Sequence, residues 1–315
     1  MSRPYIAPVL QIVGTAQSEA IRGTALNEDL YGGAGDDWIL GGGGADYIDG
    51  GPNHDTAAFA GASSLYEVAI RGGVVTVEER ASGTMSWLVN VESLAFDDVS
   101  LDLSGVPAFS PQRYLASNPD LIPLFGLDSA AAAWHYLQYG FDEGRPFHSF
   151  NGLEYIAGHA DLIDAFGADS GQGYAHYISF GFAEGRDTRP FNGLIYIASH
   201  DDLIDAFGAD REAGAIHYIN YGVAEGRAQG DFNGLDYIAS YGDLIDAFGA
   251  DYDAGVAHFI TYGRDEGRDR DDFDAAAYLS KYEDLQAAFG TDYDAATAHF
   301  ITFGHYEGRS DDLIA

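Results

Sequence analysis

The residues best placed to do chemistry lie between Gly32 and Asp49, in GGAGDDWILGGGGADYID, two nonapeptides of one pattern. Both fit G-G-x-G-x-D-x-U-x, where U is a large apolar residue. Asp37 and Asp46 hold the acidic position, Ile39 and Ile48 the apolar one. The glycines permit backbone angles barred to other residues, so the chain can turn tightly and aim carbonyl oxygens inward. A carboxylate beside those carbonyls completes a flexible cage of hard oxygens, which suits calcium. The flanking copies are degenerate. Residues 23–31 carry Glu28 and Leu30; residues 50–58 carry Asp55, with Asn53 for the third glycine and Ala57 at the apolar position; residues 14–22 form a weak first copy. A glycine-rich linker has no reason to phase Asp and Ile. A dinucleotide fingerprint needs a strand before its glycines and a helix after them.

This pattern resembles the RTX (repeats-in-toxin) family of secreted bacterial proteins. The resemblance implies that two nonapeptides make one 18-residue coil of a parallel β-roll, with calcium between turns stacked one coil apart. Carried onto this sequence, Asp37 stacks on Asp55 and Glu28 on Asp46, with Gly33, Gly35, Gly42 and Gly44 shaping the metal-binding turns. Glu28 departs from the family's Asp. About two or three ions fit so short a roll.

Composition agrees with a cation partner. The formal charge is −35, from 15 basic and 50 acidic residues, and there is no Cys. Nucleic acid is excluded as a partner because phosphate neutralisation needs a basic patch. Thiolate metal sites and disulfides are excluded outright. No apolar run approaches the length of a membrane span. The opening MSRPYIAPVLQIV is expected to be a leader over residues 1–13, without the features of a cleaved secretory signal.

Behind the roll, set at 14–58, residues 59–106 alternate as short strands: LYEVAI, VVTVEE, SWLVNVESLAF and VSLDL. The segment NVESLAFDD (90–98) resembles the one that commonly follows RTX rolls. Its expected job is to cover the roll's open end.

A second period, of 41 residues, runs through 107–315. Its units are 109–149, 150–190, 191–231, 232–272 and 273–315. His recurs at 135, 176, 217, 258 and 299, and Glu-Gly-Arg ends at Arg145, Arg186, Arg227, Arg268 and Arg309. Five copies without insertion predict stacked helical units. Similar tandem repeats appear in RTX-type proteins of proteobacteria, and that resemblance covers 109–309. Helix A is expected to start at the capping residues Ser110, Asn151, Asn192, Asn233 and Asp274. Asp161 is expected to cap a short helix B stopped by Gly167, and Asp169 to cap helix C, ending at Gly181. Gly173, His176, Tyr177 and Phe180 then share the packing stripe of helix C.

The histidines are expected to lock repeat to repeat through hydrogen bonds, and the arginines to fork onto carboxylates of their own or the next repeat. Paired carboxylates such as Asp161 and Asp164 could serve glycoside hydrolysis, but five identical pairs are an odd way to build one active site. No Ser elbow, Walker loop or HExxH motif appears. The surface left for binding is the part that varies between copies, as at 158–160, 199–201 and 240–242.

The fold class expected is multidomain α+β: a short parallel β-roll with a β cap, then an all-α array of five repeats. The expected function is calcium-dependent structural or adhesion work at the cell surface or extracellular matrix, with polysaccharide bound by the helical repeats. The resemblance adds export by a type I route, with a C-terminal signal for which SDDLIA has the acidic-then-apolar pattern; the start of a sixth repeat is the other reading of that segment. Two other functions are weighed: a component of a secreted polysaccharide-active enzyme, and metal or haem binding by the repeated histidines.

Overall fold

The computed structural model describes residues 9–311. Most of the expected leader, and the last four residues of the expected export signal, lie outside them.

Two sheets form the N-terminal half. One has six strands in the order β1-β3-β5-β9-β8-β7, the other five in the order β11-β10-β6-β4-β2. Strands β1 (Leu10–Val13), β3 (Glu28–Tyr31) and β5 (Tyr47–Asp49) stack in parallel, as do β2 (Ala20–Arg22), β4 (Trp38–Leu40) and β6 (Thr56–Ala58). The register advances by 18 residues: Leu10 opposes Glu28, Asp29 opposes Tyr47, and Trp38 opposes Thr56. Leu10–Val13 is therefore part of the roll and not of a separate leader. The strand that begins there has a parallel partner, which a leader would lack.

The apolar position of each nonapeptide fills the space between the sheets. Leu30, Ile39, Ile48 and Ala57 are fully buried, and Val75, Val77, Leu88 and Leu94 of the cap join them. The cap is the antiparallel run β7 (Tyr66–Arg71), β8 (Val74–Glu79) and β9 (Thr84–Val89), then β10 (Ser93–Ala95) and β11 (Ser100–Asp102). The single stretch SWLVNVESLAF breaks at Asn90, whose φ is 50°. Its first half pairs with β5 and its second with β6, so one segment covers both sheets.

The C-terminal half is helical. Helix A spans Pro111–Ser117, Gly152–Ala157, Gly193–Ala198, Gly234–Ala239 and Ala275–Lys281 in the five repeats. Helix B spans Ile122–Phe125, Ala160–Phe166, Asp201–Phe207, Gly242–Phe248 and Glu283–Phe289. Helix C spans Ser129–His135, Ser170–His176, Arg211–His217, Tyr252–His258 and Tyr293–His299. Ser110, Asn192, Asn233 and Asp274 cap helix A with their side chains, and Asp128, Asp210, Asp251 and Asp292 cap helix C.

Three local expectations need correction. Helix B starts one residue before Asp161, and its cap position, His159 or its equivalents His200, Tyr241 and Tyr282, makes no side-chain capping bond. Helix C does not stop at Gly181. It widens into a π-helical turn, Tyr177–Gly181, and runs on to Gly185, which is left-handed. Phe180 is 60% exposed and so is not on the packing face; the wider turn rotates it outward.

Two compact units result, residues 1–151 with 174–186, and residues 152–173 with 187–315. The first holds roll, cap and first repeat together, so a boundary at 107 falls inside it. Within it, the Tyr136 hydroxyl leaves no room for a Cβ at Gly72, and Arg71 lies 5.8 Å from the Phe141 ring. In the second unit, neighbouring repeats are pinned by polar contacts: Arg211 donates to Glu154 at 2.8 Å and to Asp253 at 2.9 Å, and Thr297 donates to Asp236 at 2.9 Å.

Candidate metal centre

The turns of the roll place each acidic residue directly over the one a coil away. The amide of Glu28 donates to Asp46 Oδ1 at 3.0 Å, and that of Asp37 to Asp55 Oδ1 at 2.8 Å. These are the two pairs the nonapeptide spacing brings together. The amide of Glu19 likewise donates to Asp37 Oδ1 at 2.9 Å. Each Asp thus spends one oxygen on the coil before it. The other is left over: Asp37 Oδ2 and Asp55 Oδ2 are buried and have no hydrogen-bond partner.

The glycines bring carbonyls to the same places. A Cβ on Gly32 would collide with the Gly50 carbonyl and stand 2.7 Å from Asp37 Oδ2; one on Gly23 would collide with the Gly41 carbonyl and stand 3.1 Å from Glu28 Oε2. Gly33 (φ 100°) and Gly44 (φ 87°) do different work. A side chain there would strike the carbonyls of Thr15 and Leu26 in the previous coil, so these positions set the close stacking. Gly35 and Gly42 also face the previous coil's backbone.

Burying these carboxylates is costly without a counter-charge. Burial among the neighbouring acids pushes Asp46 up to about 7 and Asp55 up to about 6. Glu28, Asp37, Asp46 and Asp55 are all buried. Among the described residues no three His, Asp or Glu side chains converge on a point, so backbone carbonyls must fill most of a metal's shell. Orphaned carboxylate oxygens beside inward carbonyls are a donor set of hard oxygens, which fits calcium and not a softer metal.

A family model for the RTX calcium-binding nonapeptide repeat matches residues 22–57, in four copies. Residues 22–57 are an RTX calcium-binding segment. RTX nonapeptides bind calcium, and they are typical of secreted bacterial proteins. Among solved structures, the extracellular lipase LipA from Serratia marcescens is similar to the chain at 25% identity and a TM-score of 0.27. The match covers 29% of this chain and 15% of the lipase. Curated proteins yield no match. No helix among the described residues is long and apolar enough to cross a membrane.

Outside the RTX segment the repeated polar residues are spoken for. His135, His217, His258 and His299 each hold Nδ1 against a helix A phenol of the same repeat, from Tyr114, Tyr196, Tyr237 and Tyr278, at 2.9 to 3.0 Å, so these bonds fasten a repeat internally and not repeat to repeat. Those phenols are fully buried, and burial pushes Tyr196, Tyr237 and Tyr278 up to about 12, so they stay protonated and can donate. His176, in the second repeat, packs its ring on Phe180 at 5.7 Å. The glycine ending four of the π-turns packs on the same phenol: a Cβ on Gly140, Gly222, Gly263 or Gly304 would meet the hydroxyl.

The arginines fork within their own repeat. Arg227 reaches Asp202 at 2.9 and 2.8 Å and Arg268 reaches Asp243 at 3.0 and 2.8 Å, each through Nη1 and Nη2; Arg145 and Arg309 hold both oxygens of Asp120 and Asp284 through Nη1 alone. Arg186 bonds Glu184 at 2.6 Å. These contacts hold Asp202, Asp243 and Asp284 below the usual carboxylate range. The Asp at the second residue of helix B in repeats three to five is thus the arginine's partner, not a cap. The varying triplets also turn inward: His159 and His200 bond backbone carbonyls at 2.7 and 2.8 Å, and the Tyr241 hydroxyl accepts from the Asp269 amide at 2.6 Å.

One surface feature is hidden from residue spacing. Phe180, Tyr221, Tyr262 and Phe303, one per repeat at the same position of the π-turn, are 56 to 60% exposed. Each leans on the histidine four residues before it, at 5.5 to 5.7 Å. A helix without the widened turn directs that position inward, which is how the 3.6-residue period reads it.

Proposed function

We propose a secreted adhesion protein that calcium folds and that holds an uncharged polysaccharide on its helical repeats. In the roll, Asp37 and Asp55 with the Gly50 carbonyl would hold one ion, and Glu28 and Asp46 with the Gly41 carbonyl another. Calcium supplies the charge that offsets the buried carboxylates, so binding stabilises the folded roll by mass action. In calcium-poor surroundings the acidic chain stays loosely folded, which suits passage through a type I exporter before folding outside.

The observation that carries the adhesion reading is the exposed aromatic ring at one position in successive repeats. Its geometry is fixed from below by a histidine that is itself anchored on a buried phenol. Flat, rigid rings with one free face offer apolar surface to the C–H faces of sugar rings at low entropic cost. A formal charge of −35 repels anionic chains, so the ligand class is neutral.

The test is retardation of the full, calcium-loaded chain in native gels cast with neutral polysaccharides. The double variant Tyr221→Ala, Tyr262→Ala should migrate freely while its circular dichroism matches wild type. Wild-type protein that no neutral polysaccharide retards, or a double variant retarded as strongly, overturns the adhesion reading.

A further inference from the structure

The carboxylate ladder of the roll does not end with the last nonapeptide. After β6 the next coil is replaced by the cap, in which Val89 opposes Asp49 and Ser93 opposes Thr56. Between those strands a coil spends six residues, Gly50–Asp55, and the cap spends three, Asn90, Val91 and Glu92. The shorter link nevertheless repeats two contacts of a coil turn. Glu92 Oε2 accepts from the Asp55 amide at 2.8 Å, as Asp55 Oδ1 accepts from Asp37. The Asn90 carbonyl stands where a Cβ of Gly50 would be, as the Gly50 carbonyl stands against Gly32. Asn90 takes the left-handed φ of 50°, and its Nδ2 anchors on Asp49 Oδ1 at 2.9 Å, which fixes the direction of that carbonyl.

Asp55 supplies the observation that points to a ligand. It is 0% exposed, its Oδ2 has no partner, and that oxygen lies 2.7 Å from the Gly50 Cβ point, which the Asn90 carbonyl oxygen also crowds. A buried carboxylate oxygen and a carbonyl therefore face one gap between roll and cap, and the Glu92 carboxylate is held beside it on the Asp55 amide. The other edge of the same junction differs. There the Asp46 amide meets the Ser86 hydroxyl at 3.2 Å, no next-coil carbonyl faces Gly41, and the space opens into a cavity of about 350 Å³. The cap continues the ladder on one edge only.

We infer that Asn90 and Glu92 of the cap, with Asp55, form a further calcium site that closes the roll, beyond the matched segment 22–57. The inference rests on the reading that the roll itself is loaded with calcium. The hard-oxygen donor set is that of the other gaps. Its consequence is that the cap is locked to the roll by metal as well as by strand pairing.

The experiment counts calcium per full-length chain by atomic emission after stripping and re-equilibration, in wild type and in Glu92→Gln. The amide oxygen of Gln still accepts from the Asp55 amide, so a role confined to capping leaves the count unchanged. The site requires one ion fewer per chain, with the remaining ions bound as in wild type. An equal count with equal half-saturation overturns the inference and leaves the calcium-loaded roll standing. A wild-type chain that holds no calcium overturns both. If Glu92→Gln does not fold in calcium, Glu92→Asp decides: weakened binding of one ion supports the site, and unchanged binding of all ions overturns it.

Discussion

At Gly44 a single hydrogen atom in place of a side chain decides whether two coils can stack. Its φ is 87°, and a Cβ would strike the Leu26 carbonyl. Gly44→Ala is expected to cost more than about 1 kcal/mol, since both the backbone angle and the close approach oppose it. The change should appear as a higher calcium midpoint in a titration followed by circular dichroism. In the helical repeats the matching position is the buried phenol. Tyr237→Phe leaves His258 Nδ1 without its partner at 2.9 Å, and should lower stability by about 1 to 2 kcal/mol in chemical denaturation. Burial holds the His135 imidazole below its ordinary 6.5. The neutral form is the one the fold prefers, so the unfolded chain takes up the proton first. The contribution of His135 is therefore full above about pH 6.5 and is lost as pH falls. Urea midpoints of His135→Asn should fall less than those of wild type between pH 7 and pH 5.

Among the elements, the roll was legible because its signal is local. Nine residues fix one turn, one carboxylate and one core residue, and the 18-residue coil that the RTX resemblance implies then sets Asp37 over Asp55 and Glu28 over Asp46. The capping residues of helices A and C were legible for the same reason, since an Asn or Asp before an apolar run satisfies amides two or three residues away. The π-turn was not legible. Whether helix C widens after His176 depends on a phenol from helix A packing against Gly140 and its equivalents, a contact no window within one helix contains. The exposure of Tyr221 and Tyr262 follows from that turn and was hidden with it. Glu92 escaped for another reason: three residues do the work of six, so the nonapeptide phase is lost where the contact pattern is kept. Forcing the π-turn back to a regular helix should show its worth. Gly263→Ala places a methyl against the Tyr237 hydroxyl, and is expected to destabilise the second unit by about 1 to 3 kcal/mol through overpacking. Tryptic digestion under native conditions, which reports local opening, should then cut sooner between 233 and 272 than in wild type.

For the whole molecule, the boundary that matters is the one the contacts draw. The first repeat belongs with the roll and cap: Phe109 packs at Gly73, Tyr136 at Gly72, and Arg71 reaches toward Asp142 at 3.8 Å. Calcium that holds the roll therefore also holds the surface on which helices A and C of the first repeat rest. Repeats three to five lie in the second unit, whose core of Tyr196, Tyr237, Tyr278 and the paired glycines contains no calcium turn. A chelator should then unfold the protein in two parts that do not follow the sequence repeat. Hydrogen exchange on the full chain separates the possibilities. On calcium removal, amides of β3 to β6 and of 111–140 should lose protection together, while amides of 193–260 keep theirs. If instead the first repeat behaves like the later ones, its contacts with the cap contribute little and the five repeats form one cooperative array. If all amides are lost at once, calcium governs the fold of the entire chain, and export before folding needs no stability of its own in the helical half.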